Sequence, residues 1–202
     1  MLQRARIRTA LSRQVTCMNN SLISSALLGM VAFAVSSVVM AGGLAQPVCT
    51  NHAGVETNLR PTTPSTDFVI IGDPEDGVVR HERSGLEWQR CAYPGEYSEG
   101  ACTSSGTWFW QAALEQAALQ GNGWRLPNLS ELASIVEECT GGPAVNEVVF
   151  PGIAHSQRFW TSTTDTQFGA NYALVIDFSS GYSAPTLKSS ERRSILLVRE
   201  PQ

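Results

Sequence analysis

The stretch at residues 124–132, Trp-Arg-Leu-Pro-Asn-Leu-Ser-Glu-Leu, constrains the fold most because it contains a complete helix start. Pro127 restricts the residue before it to extended backbone and cannot lie inside a helix. Asn128 is a favourable N-cap, and Glu131, three residues later, completes a capping box. Apolar residues then follow at helical spacing. The sequence therefore predicts an extended segment that turns directly into a helix at Asn128.

The first 45 residues have the layout of a secretory signal peptide. Four arginines come first, at positions 4, 6, 8 and 13, and residues 21–40 are apolar and uncharged. Small residues follow, with Ala41 and Ala45 as candidate cleavage positions. Because about 20 apolar residues can also span a bilayer, an uncleaved anchor is the alternative. We predict that residues 1–45 are removed on export to the periplasm, the cell surface or the medium.

The charge balance argues against several classes of partner. The sequence has 14 basic and 18 acidic residues, and removal of the four leader arginines leaves 10 basic against 18 acidic residues, a net charge of −8. Proteins that bind nucleic acid or anionic membranes need a basic surface. We therefore expect no nucleic-acid partner and, after cleavage of the leader, no membrane partner. The negative charge also argues against a polyanionic ligand.

The cysteines indicate an oxidising compartment. Downstream of the predicted leader the chain has Cys49, Cys91, Cys102 and Cys139, and an even number in an exported domain is typical of disulfides. Four cysteines allow three pairings. Cys91 and Cys102 bracket a short loop, which favours their pairing and leaves Cys49 with Cys139. The close cysteine pairs of zinc sites are missing from the sequence, so we expect no metal and no cofactor.

Periodicity and turn residues predict the order of the elements. Residues 46–66 predict an extended linker, pinned by Cys49, before a domain at 67–202. In that domain the pattern predicts strands, two helices, a mostly irregular stretch and further strands. The predicted elements are strands at 68–71, 78–81 and 86–90, helices at 107–119 and from 129 to near 139, an irregular stretch at 143–171 with a short strand at 159–163, and strands at 172–178, 182–185 and 195–198. This segregated order is typical of an α+β fold with antiparallel strands.

Several short stretches also occur in a recognisable order, at 76–79, 84–91, 110–114, 124–128, 131–132, 150–151, 159–163, 177–178, 181–182 and 197–199. Together they resemble the Lcl C-terminal domain family, which is named after a bacterial collagen-like adhesin. The resemblance covers roughly residues 66–200. It implies a disulfide-braced, C-type-lectin-like fold, with two helices packed on antiparallel strands and a long loop excursion. It also implies export and, for the named adhesin, binding of sulfated glycans.

We interpret the motif residues of this resemblance as structural. Large aromatic side chains dominate the cores of small domains, so the tryptophans are expected in the core. Arg125 and Glu131 are expected to anchor the backbone of the corner. The residues assigned a structural role are Trp88, Trp124, Arg125, Pro127, Asn128, Glu131 and Trp160.

The function that these observations favour is a non-catalytic binding module of the adhesion type. Loops on a rigid scaffold carry recognition, so the best surface is the loop region 140–171 with the adjacent hairpins. Aspartate and asparagine side chains can orient sugar hydroxyls, and a tyrosine can stack on a sugar ring. The candidate ligand-binding residues are Asp165, Asn171, Tyr182, Lys188 and Arg192. The expected partner is a glycan or a cell-surface protein.

Two other classes of function stay open. A structural subunit of an envelope or surface assembly would use the apolar segment at 21–40 as an anchor. An enzyme related to formylglycine-generating enzymes, whose fold is similar, would need a free cysteine, and the predicted disulfides leave none downstream of the leader. The histidines, at positions 52, 81 and 155, lack metal-ligand spacing. We therefore expect no catalytic residues.

Amino-terminal sequencing of the exported protein distinguishes the binding module from the anchored subunit. If the leader is cleaved, the first residue will lie near Gly42 or Gln46, because the run of small residues ends there. An intact amino terminus on membrane-associated protein would support the anchored subunit instead.

Overall fold

The computed structural model describes residues 44–45, 49 and 55–202, so the predicted signal peptide lies almost entirely outside the described residues. The described residues form nine strands and two α-helices. In chain order these are β1 (Phe68–Ile70), β2 (Val78–His81), β3 (Glu87–Gln89), β4 (Tyr97–Ser98), β5 (Ala101–Cys102), α1 (Trp110–Leu119), α2 (Leu129–Ala133), β6 (Arg158–Thr164), β7 (Tyr172–Asp177), β8 (Tyr182–Leu187) and β9 (Val198–Arg199). In this part of the chain no helix is both long and apolar enough to cross a membrane.

The strands pair in three antiparallel sheets, which confirms the α+β class. One sheet has the order β1-β2-β3-β9, so the last strand of the chain lies beside strands from the start of the domain. The others are the β4-β5 hairpin and the sheet β6-β7-β8. In the latter, Arg158 pairs with Asp177, which in turn pairs with Tyr182. This register brings an end of each of the three strands to one place.

The first helix starts later than predicted. It begins at Trp110 and not at Thr107, and its N-cap residue, Phe109, makes no side-chain hydrogen bond to the helix. The residues before it are held in extended backbone instead. The amide and the carbonyl of Trp108 exchange hydrogen bonds of 2.9 and 3.0 Å with Arg193, as in an antiparallel sheet. The approach to α1 is therefore paired with the C-terminal part of the chain.

The second helix starts as predicted, with Asn128 as its N-cap, but it ends at Ala133 and not near Cys139. After Ala133 the α-helical hydrogen bonds give way to the tighter 3₁₀ pattern, because the amide of Val136 donates to the carbonyl of Ala133, three residues back and not four. The amide of Glu137 then donates to the carbonyl of Ala144. Tertiary pairing therefore replaces the last predicted helical turns.

Within the stretch predicted to be mostly irregular, the short strand predicted at 159–163 is present as β6, which runs from Arg158 to Thr164. Its residues Phe159, Trp160 and Thr161 are fully buried. Conversely, the predicted strand at 195–198 is reduced to Val198 and Arg199 in β9. The residues just before β9 accept hydrogen bonds from both large sheets through their carbonyl groups. The amide of Trp160 donates to Ser194, the amide of Tyr93 donates to Ile195, and the amide of Gln89 donates to Leu197.

Two hydrophobic clusters form the core, and the C-terminal segment closes both. The first cluster includes Trp88, Phe150, Phe159 and Phe178, and the second includes Ala113, Trp124, Leu126 and Trp160. Leu196 and Val198 belong to the first cluster, whereas Ile195 and Leu197 belong to the second, and all four are fully buried. Successive side chains of an extended segment point to opposite sides. One short segment can therefore complete two cores.

Both predicted disulfides are present. Cys91 is bonded to Cys102, with their Cα atoms 5.6 Å apart, and this bond closes the loop that contains β4. Cys49 is bonded to Cys139, with their Cα atoms 4.8 Å apart and 90 positions between them in the sequence. The structure thus confirms the favoured pairing of the three possible ones.

The predicted linker is attached to the domain by more than Cys49. The carboxylate of Glu137, which is fully buried, accepts hydrogen bonds of 2.8 to 3.0 Å from the amides and hydroxyls of Thr62 and Thr63 and from the amide of Cys139. Burial raises the pKa of the Glu137 carboxyl, but these hydrogen bonds outweigh burial, and the pKa lies below its ordinary value. Residues 62–63 are therefore part of the folded domain.

Glu137→Gln should lower the free energy of unfolding by about 2–4 kcal/mol, because a neutral amide cannot accept all of these hydrogen bonds. The pKa of Glu137 is lower in the folded state, so its contribution is present above about pH 4.5 and is lost as the pH falls further. Urea denaturation at pH 7 and at pH 3.5 measures both effects.

The matched control is Glu138→Gln, the exposed neighbour, which should change stability by no more than about 0.5 kcal/mol. Equal losses for the two variants would show that the buried carboxylate does not hold residues 62–63 in place.

Candidate functional site

The corner at residues 124–132 has the predicted capping box and an ion pair. The side chain of Asn128 accepts from the amide of Glu131, and the carboxylate of Glu131 accepts from the amide of Asn128. Arg125 donates two hydrogen bonds to Glu131, of 2.7 and 2.9 Å, and a third to Glu200. The hydrogen bond from Arg125 lowers the pKa of Glu131, against the effect of burial. These side chains are engaged with one another and with backbone.

The other motif residues also pack inside the protein. Trp88 and Trp160 are fully buried, and Trp124 and Pro127 are buried as well. Trp160 donates its indole hydrogen to the carbonyl of Trp108. The motif residues therefore form part of the scaffold, and their side chains are not available to a ligand.

The structure distributes the five candidate ligand-binding residues over three places. Asp165, Asn171 and Lys188 lie at one end of the β7-β8 pair, where the amide of Lys188 donates to the carbonyl of Asn171. Tyr182 lies at the opposite end of β8, after the hairpin turn. Arg192 lies in the segment that leads to the last core residues, beside Thr107.

Two residues of the first group form side-chain hydrogen bonds within the protein. Asp165 is only 7% exposed, and its carboxylate accepts from the amides of Gln167 and Phe168, so it caps its own loop. The ammonium group of Lys188 donates to Thr164 and to the carbonyl of Ala170, and it lies 3.9 Å from the centroid of the Trp110 ring. Both residues hold the loop in place. Asn171 is exposed and lies immediately before β7.

A pocket of about 410 Å³ lies where β6 begins, β7 ends and the C-terminal segment enters the core. We call it the arginine pocket, and it is lined by Thr107, Ser156, Gln157, Arg158, Asp177, Ser179, Arg192, Arg193 and Ser194. Three arginines and one aspartate line it, and Glu191, which pairs with Arg193, reduces the local excess to one positive charge. A larger pocket of about 460 Å³, beside the β4-β5 hairpin, has the opposite character, since its charged lining residues are Glu75, Asp76 and Glu96.

Two arginines of the pocket have a carboxylate partner, and the first of them is Arg158. The Nε atom of Arg158 lies 2.6 Å from Oδ2 of Asp177, its partner across the two strands. Asp177 also accepts from the amide and the hydroxyl of Ser179. Burial raises the pKa of the Asp177 carboxyl, but the hydrogen bonds from Ser179 and Arg158 outweigh it and lower the pKa. The carboxylate is ionised at neutral pH and fixes the start of the hairpin turn.

The other two arginines retain donors. Arg192 donates hydrogen bonds from Nε and from one terminal nitrogen to the carbonyl of Thr107. Within the described part of the chain it forms no ion pair. Arg193 pairs with Glu191, but its Nε is buried without an acceptor among the residues that the structure describes. A buried donor without a partner is costly, so Arg192 is the arginine of this pocket with accessible donors.

A family model for the Lcl C-terminal domain matches residues 77–199, more than half of the chain. The chain belongs to the Lcl C-terminal domain family. The predicted resemblance is thereby confirmed. No curated protein and no solved structure matches the chain. In this Lcl C-terminal domain, the matched range contains every residue that lines the arginine pocket.

The sequence predicted one residue of this pocket, Arg192, and missed the others. Arg158 and Asp177 are 19 positions apart and become neighbours only through the strand register. A signal for the pair existed, because opposite charges flank two predicted strands that could be adjacent. Arg193 lies between the strands predicted at 182–185 and 195–198, where no element was predicted.

Asp177→Asn should lower the free energy of unfolding by about 1 kcal/mol at pH 7, because it removes the charge that holds Arg158 and Ser179. The Asp177 pKa is lowered in the folded state, so its contribution is lost as the pH falls below about 3.8. Chemical denaturation at pH 7 and pH 3 measures the difference. Glu82→Gln breaks the exposed pair with Arg80 and should change stability by less than about 0.5 kcal/mol. An Asp177→Asn protein as stable as the wild type at pH 7 would contradict this role.

Proposed function

We propose that this Lcl C-terminal domain is an exported, non-catalytic binding module that recognises a sugar bearing a carboxylate or sulfate group in the arginine pocket. The observation that carries the proposal is the pair of neighbouring arginines with donors left over. Arg192 is exposed and has no carboxylate partner among the described residues, and Arg193, which pairs with Glu191, is its neighbour in the chain. Guanidinium groups present paired N–H donors that match two oxygens of such an anion, which the ammonium group of lysine does not.

The remaining lining suits a sugar. Serine and threonine hydroxyls can donate to or accept from sugar hydroxyls, and Ser156 and Ser179 line the pocket. The guanidinium of Arg192 also lies 5.5 Å from the centroid of the Phe109 ring, which covers one side of it with apolar surface. An anion that binds there is partly shielded from water, and its attraction to the guanidinium is stronger for that reason.

The overall charge restricts the ligand. A net charge of −8 after loss of the predicted leader repels long polyanions, whereas the local excess of positive charge attracts one acidic group at short range. The resemblance implies sulfated glycans for the adhesin after which the family is named. For this chain we propose one acidic sugar unit and not a densely charged polymer.

Two properties support export and a non-catalytic role. The disulfides at Cys91–Cys102 and Cys49–Cys139 are typical of oxidising compartments outside the cytoplasm. All four cysteines of the described residues are used in these bonds, so none of the four is a free thiol nucleophile. We assign the arginine pocket to binding alone.

The fold that we propose is C-type-lectin-like. Three features support it: β9 lies in the same sheet as β1, two helices pack beside the sheets, and a long excursion at residues 134–157 separates α2 from β6. Such an arrangement places loops on a closed scaffold, where binding residues commonly lie.

Titration with monosaccharides tests the proposal. Galactose 6-sulfate and glucuronic acid should shift the NMR signals of the arginine pocket, whereas galactose and the methyl ester of glucuronic acid should not, because they lack the negative charge. Arg192→Gln should weaken binding of the acidic sugars by roughly tenfold, the loss expected for one charge-assisted hydrogen bond.

The matched control is Arg80→Gln, which removes an exposed arginine from the first sheet. It should leave the affinity unchanged. Equal binding of charged and neutral sugars, or equal affinity of Arg192→Gln and wild type, would refute the proposal. Thermal denaturation of each variant verifies that it is folded.

A further inference from the structure

A second cleft lies on the other side of the hairpin turn that borders the arginine pocket. We call it the tyrosine cleft. It has a volume of about 450 Å³, and Tyr182, Glu138, Thr140 and Ser180 are among its lining residues. Ser179 lines both this cleft and the arginine pocket. The two spaces are therefore neighbours separated by a single turn.

Tyr182 is the feature of this cleft that points to a ligand. It is 77% exposed, more than Phe168 at 63% or Phe109 at 41%. A tyrosine offers a rigid apolar face and a hydroxyl, and both suit a ligand that is itself apolar on one face and polar at its edge. The pyranose ring of a sugar has this character. The nearby hydroxyls of Thr140 and Ser180 can bond to the hydroxyls of such a ring.

The turn between the two spaces is held rigidly. The amides of Ser180 and Gly181 donate to the carbonyl of Asp177, and the Asp177 carboxylate binds Ser179. Gly181 has a φ of +76°, and a Cβ atom there would lie 2.8 Å from a methyl carbon of Val136, so the turn packs closely on the core. The position of Tyr182 relative to the arginine pocket is therefore fixed before any ligand binds.

The charges of the two spaces differ in sign. The arginine pocket has excess positive charge, whereas the charged residues that line the tyrosine cleft are Glu137, which is buried, and Glu138, which is exposed. A carboxylate or sulfate in the cleft would meet two acidic residues. A neutral sugar would meet none of this repulsion, and the Glu138 carboxylate could accept a hydrogen bond from one of its hydroxyls.

We infer that the tyrosine cleft is a second subsite, which binds a neutral sugar unit adjacent to the acidic unit in the arginine pocket. The ligand class is then a mixed oligosaccharide in which acidic and neutral units are neighbours, and Tyr182 stacks on the neutral unit. This inference rests on the proposed function of the arginine pocket. With these two subsites an acidic protein would select a sparsely charged glycan. The acidic unit would lie near the positive charge of the arginine pocket, and its neutral neighbour would lie in the tyrosine cleft.

Isothermal titration calorimetry with a hexasaccharide of alternating glucuronic acid and N-acetylglucosamine tests the inference. The hexasaccharide should bind more tightly than glucuronic acid alone. Tyr182→Ala should weaken hexasaccharide binding by roughly tenfold, because an aromatic contact of this kind is worth on the order of 1.4 kcal/mol. Tyr182→Phe, which retains the ring, should keep most of the affinity. Neither variant should change the binding of glucuronic acid alone.

Phe168→Ala is the matched control, because Phe168 is an exposed aromatic at the other end of the β7-β8 pair. It should bind the hexasaccharide like the wild type. If Arg192→Gln weakens binding but Tyr182→Ala does not, the second subsite is refuted and the proposed function stands. If neither variant weakens binding, both are refuted. Tyr182 is largely exposed, so its replacement leaves the core intact, and a thermal melt verifies this.

Discussion

The structure depends on one extended segment near the C-terminus, residues 194–198, that two cores share. Its side chains alternate between the two hydrophobic clusters, with Leu196 in the first and Leu197 in the second. Its backbone accepts hydrogen bonds from Trp160 on one side and from Gln89 on the other. Apolar burial on both faces and backbone pairing on both edges leave this segment little freedom. The N-terminal sheet, the β6-β7-β8 sheet and the approach to α1 are all positioned against it.

The two proposed subsites follow from the same closure. Arg192 and Arg193 immediately precede the shared segment, and the bridge between Ser194 and Phe159 places them beside the start of β6. The hairpin turn after Asp177 completes the arginine pocket and carries Tyr182 to its far side. The binding groups therefore sit on backbone that the cores already hold. A sugar would then bind without the loss of conformational entropy that ordering a mobile loop requires.

Several elements were predictable from local sequence. The capping box at Asn128 could be predicted because the residues that define it, Pro127 and Glu131, lie within three positions of Asn128. The disulfides were predictable because a short loop favours Cys91 with Cys102 and leaves a single remaining pair. The candidate site was predicted in part. Arg192 lies in the arginine pocket and Tyr182 beside it, whereas Asp165 is used by its own loop, because its carboxylate caps two nearby amides.

The sequence by itself determined the α+β class, the family, the corner and the disulfide pairing, because each depends on nearest-neighbour backbone preferences or on few alternatives. Only the tertiary structure decided the ends of the helices and the composition of the site. Arg158 meets Asp177 through strand register, and Glu137 enters the interior because residues 62–63 provide its hydrogen-bond donors. Pairings between distant parts of a chain depend on how its cores close, and local periodicity carries no information about that choice.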